Sequence, residues 1–394
     1  MLKNKKIVLV VTGGIAAYKA IDLTSSLKKQ GAKVRTILTQ SALQFVGEIN
    51  FKTISGEAVY TDQFDLAEPI AHITLSDWAD IMVIAPATAN IIGKMANGIG
   101  DDLATSTILA FHQPIVVIPA MNVNMYHNQA VQANMKSLKQ RGVHILIPEK
   151  GMLACGYEGR GKYPPNAEVI LAIATYLHYK QENKSKYLIT LGASQEDIDP
   201  MRFITNHSSG KMGIALSRAA YLRGGEVSVI HSRISEPLPY YLEQVHFTPS
   251  AEEMFLKMKE EYEEAEVIIM CAAVADYTPT VKLKQKIKKS GELNLTLERT
   301  QDILHYLGEH KREGQILVGF AAESENLVEN AQGKLKKKNL DLIIANNIAV
   351  SQSDNSEAFL ITKDKVEEFK GTKFQLAHKI IDTIRELKKA VYKS

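Results

Sequence analysis

With 394 residues, 45% of them hydrophobic, the chain has an ordinary globular composition and is too long for one core, so two domains are expected. A formal charge of +3 over this length excludes whole-surface attraction to nucleic acid or an anionic membrane, and neither is expected as a partner. The two cysteines, Cys155 and Cys271, fall in different halves, which argues against a disulfide framework and for a reducing, cytoplasmic compartment.

The basic start MLKNKK runs into IVLVVTGGIAAYKA, where Gly13-Gly14 and Lys19 suit a buried first strand and its turn better than a signal peptide. A strand over 6–12, a helix from 15 to about 30 closed by Gly31, and strands over 33–38 and near 81–86, 114–119 and 143–148 alternate as in a doubly wound α/β unit. No apolar run reaches the length that spans a bilayer. The segment YLHYKQENKSKY is polar, which puts a boundary at about residue 184 and two domains at 1–184 and 185–394. Beyond it the alternation repeats, with strands near 187–191, 226–231, 266–273, 316–320 and 341–345 and a helix over 210–224. FLITKDKVEEFKG reads as a hairpin, and an amphipathic helix from about 373 to 390 closes the chain. Both sheets should be largely parallel.

Each half therefore opens with strand, small-residue turn and helix. Such turns crowd backbone N–H groups around a phosphate, and the following helix aims its partly positive N-terminus there. Gly13 and Gly14 suit the first turn, Gly210 and Gly213 the second. Neither spacing is G-x-G-x-x-G, so an ordinary dinucleotide-binding dehydrogenase is not expected.

Ligands of open α/β sheets sit at the carboxyl ends of the strands. There the first half places Pro86-Ala87-Thr88-Ala89-Asn90 and Pro119-Ala120-Met121-Asn122, with His72 ahead of the first loop and Cys155 inside GMLACGYEGRGKYP. Free cysteines are usually small buried hydrophobes, but four glycines around Cys155 favour chemistry. A lone histidine is more often structural, and Asn122 could simply form a turn. In the second half KLKQKIKK read alone is a solvated face. It lacks the interleaved aromatic residues of a nucleic-acid site, and because it follows AAVADYTP it reads as a mobile flap closing over phosphates. Asp276 suits a cap as well as a ligand contact, while Lys334 and Lys338 share a helix face at i, i+4.

TGGIAAYK, the histidine before the strand, PATAN, PAMNxxM and the Cys155 loop together resemble the homo-oligomeric flavin-containing cysteine decarboxylases. IDPMRFITNHSSGKMG, AAVADY, KIKK, GFAAE and KLKKKNLDLIIANN resemble phosphopantothenate–cysteine ligase. In this order over nearly the whole chain they resemble the bacterial bifunctional family of coenzyme A biosynthesis. The resemblance implies a flavodoxin-like first domain and a Rossmann-like second one.

It also implies two reactions. CTP activates 4′-phosphopantothenate as an acyl-cytidylate, L-cysteine displaces CMP, and FMN-dependent decarboxylation then yields 4′-phosphopantetheine. By motif position Cys155 donates a proton, while His72 and Asn122 orient the substrate. FMN lies on Gly13, Gly14, Ile15, Thr39, Ser41, Thr88, Ala89, Asn90 and Ala120. Asn206 and Lys286 serve ligation, and CTP lies on Ala272, Asp276, Lys286, the run Gln301, Asp302, Ile303 and Leu304, Phe320, Lys334 and Lys338. A triphosphate implies Mg2+, for which no protein ligand is named. Trimers through the first domain and dimers through the second imply a dodecamer. Three departures from the family pattern stand out: Lys162 in place of arginine, Ala193-Ser194 in place of Gly-Thr, and His207 in place of arginine. Rival readings are a flavin-binding regulatory protein and a peptidyl-cysteine decarboxylase fused to a degenerate ligase.

Overall fold

The computed structural model describes residues 1–64, 66, 68–154, 156–181, 185–288, 293–323, 326–347 and 355–391. The chain divides into two compact units, Met1–Tyr179 and Lys180–Ser394. No described helix is long and apolar enough to cross a membrane.

In the first unit the strands β1 (Lys6–Val11), β2 (Lys33–Leu38), β3 (Val59–Tyr60), β4 (Ile81–Ala87), β5 (Ile115–Pro119) and β6 (His144–Ile145) form one sheet in the order β3-β2-β1-β4-β5-β6. Every neighbouring pair is parallel. Helices cover both faces of such a sheet, which is why β1 and β4 are continuous aliphatic runs rather than alternating ones. All of β4 and all but the first residue of β1 are buried. The doubly wound parallel sheet expected from the sequence is present. Its strand order is 3-2-1-4-5-6 rather than the flavodoxin order 2-1-3-4-5, so the order reverses between β1 and β4. Outside the sheet stands a hairpin of β7 (Glu149–Met152) and β8 (Glu158–Lys162).

The second unit contains β9 (Lys186–Leu191), the hairpin β10 (Gln195–Asp199) and β11 (Arg202–Thr205), β12 (Glu226–His231), β13 (Gln244–Phe247), β14 (Val267–Met270), the short pair β15 (Tyr277–Pro279) and β16 (Leu297–Arg299), β17 (Ile316–Glu323), β18 (Leu342–Asn347), β19 (Asn355–Ile361) and β20 (Val366–Thr372). Its main sheet runs β13-β12-β9-β14-β17-β18-β19-β20. The first six strands are parallel and repeat the 3-2-1-4-5-6 order, and the expected hairpin β19–β20 adds antiparallel strands at one edge. Gly213 lets helix Lys211–Leu222 lie directly on β9, because a Cβ there would stand 2.2 Å from the Cβ of Leu191. The terminal helix Lys373–Val391 buries Leu376, Ala377, Ile380, Ile381 and Ile384, a stripe at helical spacing.

Arg223 ties that helix down. Its side chain is fully buried, donates from Nε to the Lys180 carbonyl and from Nη1 to the His378 carbonyl, and pairs through Nη2 with Asp382 at 2.7 Å. Removing a buried, multiply bonded guanidinium strands those acceptors, so Arg223→Ala should cost about 3 kcal/mol of unfolding free energy. Denaturant unfolding of the full chain checks this, and a change under 1 kcal/mol would show that the network contributes nothing.

Candidate functional site

The crevice of the first unit opens where β1 and β4 part. Thr12, just past β1, donates its hydroxyl to the Pro86 carbonyl at 2.7 Å and accepts the Thr88 N–H at 3.2 Å, which joins the two loops. Thr88 in turn caps helix Ala89–Asn97 by accepting the Ile91 N–H. Gly13 is needed by close approach, since a Cβ there would lie 2.4 Å from the Ser41 Cβ and 2.7 Å from its backbone carbonyl.

Two cavities share this wall. One of about 530 Å³ is lined by Gly13, Gly14, Ile15, Thr88, Ala89, Ala120 and Asn122 among others; a second of about 460 Å³ is lined by Gly13, Thr39, Ser41, Thr88, Ala89 and Asn90 among others. All nine residues assigned to the cofactor from the sequence thus face one or both. Thr12, Lys19, Lys94 and Asp102 line these cavities too and were not singled out for the site from the sequence. The alternation of strand and turn marks Thr12 only as a strand terminus, which is why its joining role was not legible.

Asn122 caps the short helix Val123–His127, accepting the Asn124 N–H at 2.8 Å, and lines the larger cavity. Cys155 lies outside the described residues. Its neighbours Leu153 and Ala154 line the larger cavity, and the loop they belong to is the end of the β7–β8 hairpin, where the Leu153 N–H bonds to the Tyr157 carbonyl. The hairpin is docked on the PAMN loop by the Met121 N–H bonding to the Gly161 carbonyl. His72 is the second residue of helix Ala71–Trp78; it lines neither cavity, and its buried Nδ1 has no hydrogen-bond partner among the described residues.

Two cations enter the larger cavity. Lys162 pairs with Glu149 at 3.1 Å, and Lys19 donates to the Tyr163 carbonyl at 3.2 Å. Burial, then the charge of Lys162, pulls the Lys19 ammonium below its ordinary pKa, with Glu149 opposing. An anionic ligand group would relieve that repulsion.

The second unit carries a narrower cavity of about 190 Å³ over the ends of its strands, lined by Ala272, Phe320, Lys373 and the His207–Gly213 turn, and beside that turn another of about 480 Å³ that includes Asn206 and Arg233. Asn206 donates its amide to the Ala273 and Val274 carbonyls at 3.3 and 3.1 Å. Ser194, one of the departures from the family pattern, accepts the Ala275 N–H at 2.9 Å and so shapes the loop that carries Asp276. The Asp276 carbonyl accepts the Thr300 N–H, which brings Gln301 to Leu304 alongside. Asp302 caps helix Ile303–His310 through the His305 N–H and pairs with Lys338 at 2.8 Å. Burial would raise the Asp302 pKa, but the Lys338 and His305 hydrogen bonds hold it below the usual carboxylate range. Ile303 is buried in the core, and Leu304 packs against it. Lys334 sits one turn before Lys338 on helix Leu327–Lys337 and lines neither cavity.

The basic segment is not free-standing. Among residues 282–288 the Leu283 N–H bonds to the Ile198 carbonyl and the Ile287 N–H to the Asp199 carboxylate, with Lys286 exposed between them. The segment read from the sequence as a mobile flap is thus bonded to β10 at two points, Leu283 and Ile287, through acceptors that a lysine-rich pattern does not reveal. Cys271 lines the smaller cavity, but burial pushes its thiol up to about 12, so it holds no thiolate at neutral pH.

Two doubly wound units, each with a glycine turn and cavities at its strand ends, define a two-site α/β protein. Residues 1–178 match the flavoprotein family, and residues 183–387 match the DNA/pantothenate metabolism flavoprotein C-terminal domain. Coenzyme A biosynthesis bifunctional protein CoaBC of Bacillus subtilis is 45% identical over 88% of this chain and 87% of its own length. The proteins of that name from Haemophilus influenzae and Escherichia coli are 40% and 39% identical, over 90% and 92% of this chain and the same shares of their own. The chain belongs to this family of coenzyme A biosynthesis bifunctional proteins.

The glycine contact gives a direct test. Gly13→Ala forces the β1 turn away from Ser41, so flavin per purified chain should fall at least about tenfold, since reshaping a preformed cradle removes much of the binding energy. Absorbance of flavin released on denaturation measures this; unchanged content would mean that the turn does not contact the cofactor.

Proposed function

We propose that the second unit joins cysteine to 4′-phosphopantothenate at the expense of CTP, and that the first unit decarboxylates the product to 4′-phosphopantetheine with FMN. The observation that carries the reading is the convergence of all nine assigned cofactor residues on two adjoining cavities in the unit that matches the flavoprotein family.

A carboxylate cannot form an amide directly at neutral pH, because oxide is too poor a leaving group. Transfer of CMP from CTP to the substrate carboxylate gives an acyl-cytidylate and releases pyrophosphate; the cysteine amine then attacks the acyl carbon, and CMP leaves with the bonding pair. Asn206 orients the acyl group from the loop beside Ala273, and the Lys286 ammonium stabilises charge that develops on the phosphates. Asp276, Ala272, Phe320 and the run Gln301 to Leu304, with Lys338 held by Asp302, form the nucleotide wall. Mg2+ accompanies the triphosphate, whose phosphates together with water supply most of its shell.

In the first unit FMN, when bound, supplies a two-electron sink that lets carbon dioxide leave from a carbon otherwise unable to accept the electrons. The Gly13-Gly14 turn, Thr39, Ser41 and the Thr88–Asn90 loop hold it, and Asn122 faces the substrate from the PAMN loop. Cys155, by motif position, donates the accompanying proton to the product carbon. Lys19 and Lys162 bind the anionic substrate. The chain is proposed to work as a homo-oligomer.

Purified protein incubated with 4′-phosphopantothenate, cysteine, CTP and Mg2+ should release pyrophosphate and carbon dioxide. Flavin bound without carbon dioxide release would favour the regulatory reading. Lys286→Gln should slow pyrophosphate release about a hundredfold, the usual effect of losing one preorganised charge at a site of charge development. Carbon dioxide release from supplied 4′-phosphopantothenoylcysteine should be unchanged. Wild-type pyrophosphate release would return Lys286 to a solvated surface run.

A further inference from the structure

Asp199 has a use that the two reactions leave unassigned. It ends β10, its side chain is fully buried, and it sits where the β10–β11 hairpin turns. One carboxylate oxygen accepts the N–H groups of Met201 and Arg202 at 2.7 and 2.9 Å, as a turn-forming aspartate does. The other is pointed away from the turn. It pairs with Arg202 Nη1 at 2.8 Å and accepts the Ile287 N–H at 3.1 Å, 88 positions along the chain. Arg202 reaches the Ile287 carbonyl at 3.5 Å from both terminal nitrogens, so the ion pair addresses both polar ends of this residue. With Leu283 bonded to the Ile198 carbonyl at 3.0 Å, only Lys284, Gln285 and Lys286 lie between the two anchors.

A turn could be closed by one oxygen of an exposed asparagine or serine. Burying a carboxylate costs several kcal/mol unless hydrogen bonds offset it, so the second oxygen needs a reason. Here three N–H groups and a guanidinium satisfy the charge: burial alone would raise its pKa, but the N–H groups of Ile287, Met201 and Arg202 and the Arg202 charge hold it below the usual range. Two of those partners belong to the turn, and the third, Ile287, belongs to the basic segment. Lys286 is the residue immediately before that clamped peptide. An ammonium on a four-carbon stem is a flexible point charge, and fixing the backbone at its base narrows the region from which that charge can reach a ligand.

We propose that Asp199 is a positioning residue for ligation: by clamping the Ile287 peptide it sets the place from which Lys286 reaches the reacting phosphates. The proposal rests on the reading of Lys286 given above. It differs from a purely structural role for Asp199, because the effect of losing the carboxylate must pass through the lysine.

A double-mutant cycle on the full-length protein separates the two. Initial rates of pyrophosphate release with saturating 4′-phosphopantothenate, cysteine and CTP are measured for wild type, Asp199→Asn, Lys286→Gln and the double variant. A misplaced catalytic group commonly costs one to two orders of magnitude, so Asp199→Asn should lower kcat about tenfold or more, leave KM for CTP within about twofold, and cost less than about twofold further when Lys286 is already Gln. Ile287→Pro removes the N–H that Asp199 accepts while sparing the carboxylate, and should reproduce the kcat loss even if Asp199→Asn does not fold. Equal losses from Asp199→Asn on both backgrounds overturn the proposal, as does full activity of Ile287→Pro beside an impaired Lys286→Gln. Full activity of Lys286→Gln itself removes the reading of the lysine, and the positioning role falls with it.

Discussion

Both units depend on one junction. At the place where strand order reverses, the first and fourth strands of each sheet run side by side, and the connections from their ends leave to opposite faces. In each unit a buried threonine hydroxyl from the first strand or its end bonds across this gap: Thr12 accepts the Thr88 N–H at 3.2 Å, and Thr190 accepts the Ala272 N–H at 3.3 Å. The bond fixes the loop after the fourth strand relative to the turn after the first. Other bonds across the gap reinforce it: the Thr12 hydroxyl also donates to the Pro86 carbonyl, and in the second unit the Ala273 N–H bonds to the Gly192 carbonyl and the Ala275 N–H to Ser194.

From that junction the chemistry diverges through what is attached. The first unit adds a hairpin, β7–β8, docked on the PAMN loop, and brings two lysines, one of them paired with Glu149, to a mostly apolar cavity. A low-polarity pocket with a few charges at its edge suits a flat aromatic cofactor beside an anionic substrate. The second unit adds a different hairpin, β10–β11, whose acidic turn reaches the lysine segment, and an antiparallel extension, β19–β20, that carries the terminal helix. Its polar loops and ion pairs suit highly charged phosphates. One architecture therefore holds two chemistries because its sites lie in the loops and not in the sheets.

The sheets were legible because buried parallel strands are aliphatic runs: β1, β4, β5, β9, β14 and β18 coincide with such runs. The strands that gave no signal are those that lack the pattern. Val59–Tyr60 is two residues long, Gln244–Phe247 is a half-buried edge, and β7 and β8 read EKGM and EGRGK, with glycine and charge where branched residues are usual. The strand read near 143–148 shrinks to His144–Ile145 for the same reason, as an edge needs only one partner. At the first site, motif spacing picked out loops that line two adjoining cavities, since glycines and small residues mark close backbone approach. It could not reveal Asp199 or Thr12, whose partners are 88 and 74 or more positions away. His72 lines neither of the two cavities described, so its assignment rests on motif position alone.

The central claim is that the chain holds two separate sites, one dependent on flavin and one not. The most direct measurement strips the full-length protein of flavin and supplies 4′-phosphopantothenate, cysteine, CTP and Mg2+, following pyrophosphate and carbon dioxide together. The account predicts pyrophosphate release at the untreated rate, accumulation of 4′-phosphopantothenoylcysteine, no carbon dioxide, and carbon dioxide release restored by adding FMN. Loss of pyrophosphate release in the stripped protein, recovered with FMN, would contradict it by showing that ligation and decarboxylation share one flavin-dependent site.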